Sequence, residues 1–299
     1  MHNLSLGITL MFFASFFFAI MNALVKILSS SVSPVENLFF RSLIMVFFML
    51  IVLKIQNRPL VKKKGAWGRL FFRAFIGGLS MLALFYNIAT IPLGIATTFA
   101  QSTPLYAIVF SAFLLKEKTP IGVICASILG FVGVVFICNP FGESLPAFNI
   151  LMGIFSGGGA ALALITLRSL KEYFDNNFII LFFGLSMSIT GGIILCLPTF
   201  FVDNTWHIPN LKEWSIIFLM GLAGTIGQYF MTKAYMNAPA GIISPIDYIK
   251  ILWGILMGVY LGDALPSLEA WIGIFLILSS GILIALPVFI RDLKRIDRV

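Results

Sequence analysis

The chain divides almost end to end into apolar stretches of about 20 residues, the length an α-helix needs to cross the hydrocarbon layer of a membrane. Its mean hydropathy is +1.03. Only 11% of its residues are charged, whereas soluble domains carry roughly 25%. We predict an all-α integral membrane protein with ten transmembrane helices, at 4–28, 35–53, 70–88, 95–115, 121–138, 150–170, 178–202, 214–235, 241–261 and 268–290.

The basic residues indicate how the chain is oriented. They concentrate in the connections 54–69, 116–118 and 168–171 and in the C-terminal segment 291–298, whereas Lys212 is the only Lys or Arg in the connections 139–149, 203–213 and 262–267. Positive charge favours the cytoplasmic side, so both termini are predicted to be cytoplasmic. The formal charge of +8 is then a topology signal, and no nucleic-acid partner is expected.

Two sequence elements recur after about 147 residues. Residues 91–95 and 238–242 share Pro, Gly and Ile in register, and residues 115–120 and 261–266 share Leu, an acid and Pro. These elements bound the fourth and ninth predicted spans. They predict two five-helix repeats, 1–147 and 148–299, with the second inverted because five crossings reverse the direction of entry. Repeats of this kind build carriers whose binding site lies near the midplane.

Several short motifs resemble those of one family. They are Gly227-Gln228-Tyr229, Ala238-Pro239-Ala240, Ser244-Pro245-Ile246-Asp247-Tyr248 and the acid-to-Pro element 263–266. Together with the ten spans, they resemble the EamA-type permeases of the drug/metabolite transporter superfamily. The resemblance implies a small-solute carrier of the bacterial inner membrane whose cavity is lined by helices 1, 3, 4, 6, 8 and 9, with helices 5 and 10 to the side. It also implies cargo such as amino acids, adenosyl compounds including S-adenosylmethionine, or drugs.

Asp247 and Lys250 lie in the middle of the ninth apolar stretch. A charge at the centre of a membrane helix costs about 2.5–3.5 kcal/mol, so we expect both to face a cavity rather than lipid. Their spacing of three places them on one face, where they could simply neutralise one another. Alternatively, one or both contact a charged or zwitterionic solute, or Asp247 takes up a proton. The sequence leaves these alternatives open.

Other spans carry polar side chains on one face. In the first span Ser15, Asn22 and Lys26 recur at intervals of seven and four residues, which places them on one stripe. Hydroxyls in such stripes can instead bond to their own backbone or to neighbouring helices. The predicted substrate-binding residues are Asp247, Lys250, Tyr248, Gln101, Gln228, Asn22, Lys26, Tyr86, Asn87, Tyr229 and Lys233.

Three residues are predicted to have structural or gating roles. Pro104 and Pro245 interrupt the fourth and ninth spans, where freed carbonyls can serve a solute or water. Arg41 corresponds to a basic position of the resembled family; its structural interpretation is an Arg that pairs with Glu36 or with backbone carbonyls.

The sequence offers no catalytic machinery. Its only histidines, His2 and His207, lie outside the apolar spans, and Asp247 is the one acid deep in a span. We therefore predict no enzyme, no metal and no cofactor, and favour a secondary carrier of a small charged or zwitterionic metabolite that works by alternating access, as a monomer or weak homodimer. A drug or metabolite exporter and a lipid flippase are the alternatives. Direction and ion coupling are undetermined.

Overall fold

The computed structural model describes residues 4–56, 60–61, 63–103, 105–106, 110, 121–138, 145–170, 172–196, 208–237, 247 and 249–296. Within these residues it is helical, apart from turns and one isolated antiparallel bridge between Val61 and Phe174. The described helices are α1 (Leu4–Leu28), α2 (Pro34–Gln56), α3 (Trp67–Thr90), α4 (Leu93–Gln101), α5 (Ile121–Cys138), α6 (Ala147–Leu170), α7 (Asn176–Cys196), α8 (Leu211–Asn237), α9 (Ile249–Tyr260) and α10 (Leu268–Ile296).

The apolar stretches predicted the helices well, with ends that differ by a few residues. The third helix runs from Trp67 to Thr90 rather than over 70–88, because polar and aromatic residues at the membrane boundary continue the helix beyond its apolar centre. In the fourth predicted span, 95–115, the described residues form a helix that ends at Gln101 and a turn at Ser102, after which residues 103, 105, 106 and 110 are again helical. Most of 104–120 lies outside the described residues.

Local capping explains where two helices begin. At the start of α2 the Glu36 backbone N–H donates to Ser33 Oγ at 3.2 Å, and the Ser33 N–H donates to Glu36 Oε2 at 2.8 Å. Asn210 and Glu213 form the same reciprocal pair before α8, at 2.9 and 2.8 Å. Such a capping box satisfies backbone N–H groups that have no partner inside the helix. The two helices therefore begin at fixed positions in the sequence.

Six helices in the described part of the chain, α1, α2, α3, α6, α7 and α8, are long and apolar enough to cross a membrane. The apolar stretches described in α5, α9 and α10 are shorter. Large apolar side chains cover the outside of the bundle, for example Phe47 at 60% exposure and Phe275 at 69%. Contiguous apolar surface of this kind is rare on soluble proteins and is expected where a helix meets lipid. The chain is a multi-pass membrane protein.

The helices pack across the bundle in a regular pattern. α1 lies along α8, α3 along α6, α2 along α7, α4 along α9 and α5 along α10. Small residues allow the closest approaches: a Cβ on Gly133 of α5 would lie 2.7 Å from the carbonyl oxygen of Gly273 in α10. The Ser280 hydroxyl of α10 donates to the Ala126 carbonyl of α5 at 2.5 Å. Almost every major contact thus joins a helix before residue 139 to a helix after residue 146.

Two ends of the bundle can be identified from their contacts. At the first end, the C-terminus of α3 meets the start of α6, because Asn149 Nδ2 donates to Thr90 Oγ1 at 2.5 Å. At the second end, the α2–α3 connection lies beside the α6–α7 connection, where the Asp175 N–H donates to the Leu60 carbonyl at 2.9 Å. Asn177 Nδ2 also donates to Gln56 Oε1 at 2.6 Å. Both ends are therefore held by contacts that are distant in sequence.

Candidate functional site

Asp247 and Lys250 form an ion pair directly before and within the first turn of α9. Lys250 Nζ lies 2.7 Å from Asp247 Oδ2 and 2.6 Å from Oδ1, so both carboxylate oxygens share the ammonium group. The Lys250 side chain is 12% exposed and that of Asp247 17%. A partly buried pair of this geometry is largely shielded from lipid. The structure thus contains the mutual pairing that the spacing of three residues allows.

Helices from the other half of the chain complete this polar cluster. The Ser15 hydroxyl of α1 donates to Asp247 Oδ1 at 2.9 Å. The Gln101 side chain of α4 donates through Nε2 to the Asp247 carbonyl at 2.8 Å. The Lys250 ammonium also lies 4.6 Å from the centre of the Phe18 ring, a distance at which a cation is attracted to an aromatic face. The cluster therefore joins α1, α4 and α9.

An aromatic side chain borders the same region. The Trp253 ring of α9 meets the Phe16 ring of α1 edge to face, with centroids 5.5 Å apart. Its indole Nε1 is buried and makes no hydrogen bond. A buried N–H without an acceptor is costly.

Lys26 belongs to a second charged cluster, at the first end of the bundle. Its Nζ lies 3.4 Å from Asp263 Oδ1 and donates to the Ile91 carbonyl at 2.9 Å. Asp263 Oδ2 accepts the Leu93 N–H at 2.7 Å. We call these four residues the end cluster. It ties the C-terminus of α1 to the α3–α4 turn and to the turn after α9, so Lys26 does not contact the Asp247–Lys250 pair.

Arg41 is completely buried in α2, and its partners differ from those expected. Its Nε donates to Met21 Sδ at 3.0 Å and its Nη1 to Met81 Sδ at 2.8 Å, while Nη2 has no partner. Glu36 instead accepts the Ser33 N–H in the capping box of α2. The expected pairing of Arg41 with Glu36 or with backbone carbonyls is therefore not what the structure contains. Thioether sulfur is only a weak acceptor for a cation.

The predicted pair Tyr86 and Asn87 lies where α3 packs against α6. Asn87 Nδ2 donates to the Asn149 carbonyl at 3.0 Å, and Asn149 Nδ2 donates to Asn87 Oδ1 at 3.1 Å. The Tyr86 ring meets the Phe148 ring edge to face, with centroids 5.0 Å apart. The amide of Asn87 is thus occupied by a neighbouring helix, as in other interhelical hydrogen bonds within membranes.

Tyr229 and Lys233 of α8 contact one another. Lys233 is exposed, and its Nζ lies 4.5 Å from the centre of the Tyr229 ring. Tyr229 borders a groove of about 590 Å³ between α1, α2 and α8. We call it the lateral groove; its mostly apolar lining is Phe13, Phe17, Phe48, Met49, Val52, Leu222, Thr225, Ile226, Tyr229 and Phe230. Of the two predicted residues, Tyr229 therefore lines the lateral groove.

Gln228 and Asn22 are both buried, with exposures of 6% and 5%. The side-chain oxygen of Asn22 has no hydrogen-bond partner. Several hydroxyls of the predicted polar stripes bond to their own helix, such as Thr98 to the Gly94 carbonyl at 2.7 Å and Thr232 to the Gln228 carbonyl at 2.6 Å. For these hydroxyls the alternative of local backbone bonding is what the structure contains.

Three predicted residues, Tyr248, Pro104 and Pro245, lie outside the described residues. Ser15, Phe18 and Asp263 are not among the predicted binding residues, although Ser15 lies on the polar stripe of α1 and Asp263 in the acid-to-Pro element. Among the residues that the structure describes, no three His, Cys, Asp or Glu side chains are grouped to hold a metal ion.

Comparisons with known proteins give one answer. The sequence profile of the EamA-like transporter family matches residues 5–139 and again 147–286. A Helicobacter pylori (strain J99 / ATCC 700824) protein described as an uncharacterized transporter is 45% identical over 97% of this chain and 98% of its own length. The Pseudopaline exporter CntI of Pseudomonas aeruginosa (strain UCBPP-PA14) is 32% identical over 87% of this chain and 90% of its own.

More distant similarities extend this result. An S-adenosylmethionine uptake transporter of Rickettsia bellii (strain RML369-C) is 25% identical over 87% of this chain and 86% of its own. A crystal structure with 17% identity has a TM-score of 0.68 and covers 94% of this chain and 97% of its own, which shows a shared fold. The expected EamA-type resemblance is confirmed, and with it a transporter rather than an enzyme. The chain belongs to the EamA-like transporter family.

Proposed function

We propose that this protein is a secondary carrier that moves a small charged or zwitterionic metabolite by alternating access, through a cavity between two inverted five-helix halves. The observation that carries the proposal is the Asp247–Lys250 pair, which belongs to one half and receives hydrogen bonds from Ser15 and Gln101 of the other. A charged solute can compete for either member of the pair. Because the pair contacts both halves, its occupancy can be coupled to their relative movement.

The pattern of helix contacts supports two equivalent halves, 1–147 and 148–299. If each helix is exchanged for its counterpart in the other half, the α1–α8 contact becomes the α6–α3 contact, which is also present. The contacts α1–α9 and α2–α8 likewise become α6–α4 and α7–α3, both present. The pairs α2–α7, α4–α9 and α5–α10 exchange with themselves. Such invariance is expected of a pseudo-two-fold axis.

The contacts at the two ends support an inverted relation between the halves. α1 ends at the first end, where Lys26 bonds to Ile91 beside the C-terminus of α3, whereas its counterpart α6 begins there with Asn149. α2 ends at the second end with Gln56, whereas its counterpart α7 begins there with Asn177. Counterpart helices that run in opposite directions are the signature of inverted repeats. The basic connections would then place the second end and both termini in the cytoplasm of a bacterial inner membrane.

The cargo we favour is amino-acid-derived or adenosyl. One relative is named as an exporter and another as an uptake transporter, so these names support a metabolite carrier without a direction. The pH gradient in the experiment below tests whether transport is coupled to protons.

The test is uptake by purified protein in liposomes, with zwitterionic amino acids, cationic amines and adenosyl compounds as cargo, each with and without a pH gradient. We expect saturable uptake of at least one class. Asp247→Asn and Lys250→Met should each lower that uptake by at least about tenfold, because either change leaves the other charge buried without its partner. Glu269→Gln removes an exposed acid at the start of α10 and serves as the matched control. Full activity in both pair variants contradicts the mechanism.

A second candidate function rests on the lateral groove. It opens between α1, α2 and α8 and is lined mostly by apolar side chains, which suits a cargo with an apolar tail, as in a lipid flippase or a drug exporter. Phe17→Asn and Phe230→Asn would place amides in this groove. A strong loss of transport in these variants, with Asp247→Asn unaffected, would favour the second candidate.

A further inference from the structure

We infer that Arg41 is a recognition site for a carboxylate, and that the cargo of this carrier bears one. The inference rests on the proposed carrier function and specifies its substrate class. The Arg41 guanidinium is fully buried in the first half of α2, and yet it has no anionic partner among the described residues.

The present partners of Arg41 do not satisfy its hydrogen-bonding capacity. A guanidinium carries five N–H donors in a planar fork that matches two carboxylate oxygens. Here Nε and Nη1 contact only the thioether sulfurs of Met21 and Met81, and Nη2 contacts no acceptor. Thioethers are weak acceptors without charge. An Arg with a purely structural role would be expected to bind carbonyl oxygens or a carboxylate, as buried polar groups generally do.

Two of the described acids, one within the bundle and one at its first end, are already paired with lysines. Asp247 is shared with Lys250, and Asp263 with Lys26. No carboxylate in the described part of the chain lies within 4 Å of the Arg41 guanidinium. A buried cation without a counter-charge is strongly disfavoured, so an anion that enters the bundle is attracted to this position.

The surroundings of Arg41 place the site between the halves. Met21 and Met81 belong to α1 and α3, and Gly224 of α8 approaches from the second half. A Cβ on Gly224 would lie 2.9 Å from Arg41 Nε and 2.8 Å from Met21 Sδ, so only glycine leaves room for the guanidinium there. Methionine side chains are flexible and repack readily. Both sulfurs can therefore give way to the oxygens of a solute when α8 moves relative to α1 and α3.

The experiment compares carboxylates with their own amides in liposomes. The cargo set is a panel of α-amino acids and short dicarboxylates, each beside the carboxamide of the same skeleton. We expect the wild type to take up at least one carboxylate about 10- to 100-fold better than its amide, as for other hydrogen bonds to charged groups. Arg41→Met should abolish this preference while amide uptake changes less than about twofold, and Arg41→Lys should retain part of it. Lys54→Met, an exposed cation on the same helix, is the matched control and should keep the full preference.

Thermal stabilisation of the purified protein by the same carboxylates provides a readout that does not require transport. Stabilisation of the wild type and of Lys54→Met, but not of Arg41→Met, supports the site even if no cargo is moved, in which case the carrier function alone is refuted. Uptake of carboxylates and amides at equal rates by the wild type overturns the inference and leaves the carrier intact. Equal stabilisation of Arg41→Met and the wild type also overturns it.

Discussion

The end cluster allows a quantitative prediction about the energy that joins the helices at one end of the bundle. Lys26 Nζ lies 3.4 Å from Asp263 Oδ1, and the side chains are 19% and 15% exposed. Two unit charges at that distance attract by about 5 kcal/mol at an effective dielectric constant of about 20, and desolvation of both groups offsets much of this. We therefore expect a coupling of about 1–3 kcal/mol between the two residues.

The perturbation is a double-mutant cycle of Lys26→Met and Asp263→Asn. Each single variant should lose more than half of the unfolding free energy that the double variant loses, because each single change leaves the other charge without its partner. In Lys26→Met, the unpaired Asp263 keeps only its bond from the Leu93 N–H. In Asp263→Asn, the unpaired Lys26 keeps only its bond to the Ile91 carbonyl. The measurement is reversible unfolding of the purified protein in mixed micelles, followed by tryptophan fluorescence.

A control separates the pair from a general effect of charge. Lys212→Met removes an exposed cation in the first turn of α8 and should change the unfolding free energy by less than about 0.5 kcal/mol. The reasoning is refuted if the Lys26 and Asp263 effects add with a coupling below about 0.5 kcal/mol. In that case the 3.4 Å contact would contribute no more than a surface ion pair.

Two further predictions concern helix packing. Asn149→Ala should lower the free energy of unfolding by about 1–3 kcal/mol because it removes the Nδ2 donor to the buried Asn87 Oδ1, whereas the bond from Asn87 Nδ2 to the backbone carbonyl of residue 149 remains. Asn87→Ala combined with it should cost less than the sum of the single changes, as thermal denaturation in detergent can measure. Gly157→Val should greatly reduce the yield of folded protein in size-exclusion chromatography, because even a Cβ there would lie 2.8 Å from the Phe99 carbonyl oxygen; Gly122→Val, with nothing within 4 Å, should fold normally.

The helices could be predicted from the sequence because each apolar stretch matches the length of a membrane crossing. The contacts of the interior polar side chains are harder to predict, since neighbouring helices supply their hydrogen-bond and ion-pair partners. The i, i+3 spacing of Asp247 and Lys250 placed them on one face and made their pairing one of the alternatives, but Ser15 lies 232 residues before Asp247 and no local rule connects them. Similarly, Lys26 was predicted to bind substrate from its place on the polar stripe of α1, whereas its contact with Asp263 depends on how α9 ends beside α1.

Composition alone also cannot distinguish a polar residue that lines a cavity from one that joins two helices. Asn87 had the same stripe signal as Asn22, yet Asn149 occupies its amide, while the Asn22 oxygen has no partner. Arg41 illustrates the opposite error. Its charge suggested a carboxylate or carbonyl partner, and the structure contains two methionine sulfurs instead, because three helices happen to converge on that side chain.

The cross-bundle pairing of α1 with α8 and of α3 with α6 has a consequence for biogenesis. When synthesis reaches residue 138, the faces of α1 and α3 that later meet α8 and α6 have no partner, and Ser15 has not yet met Asp247. The first five helices alone should therefore form an incompletely packed folding intermediate that is prone to degradation. A gene severed between residues 138 and 147 should yield working protein only when both fragments are translated in the same cell.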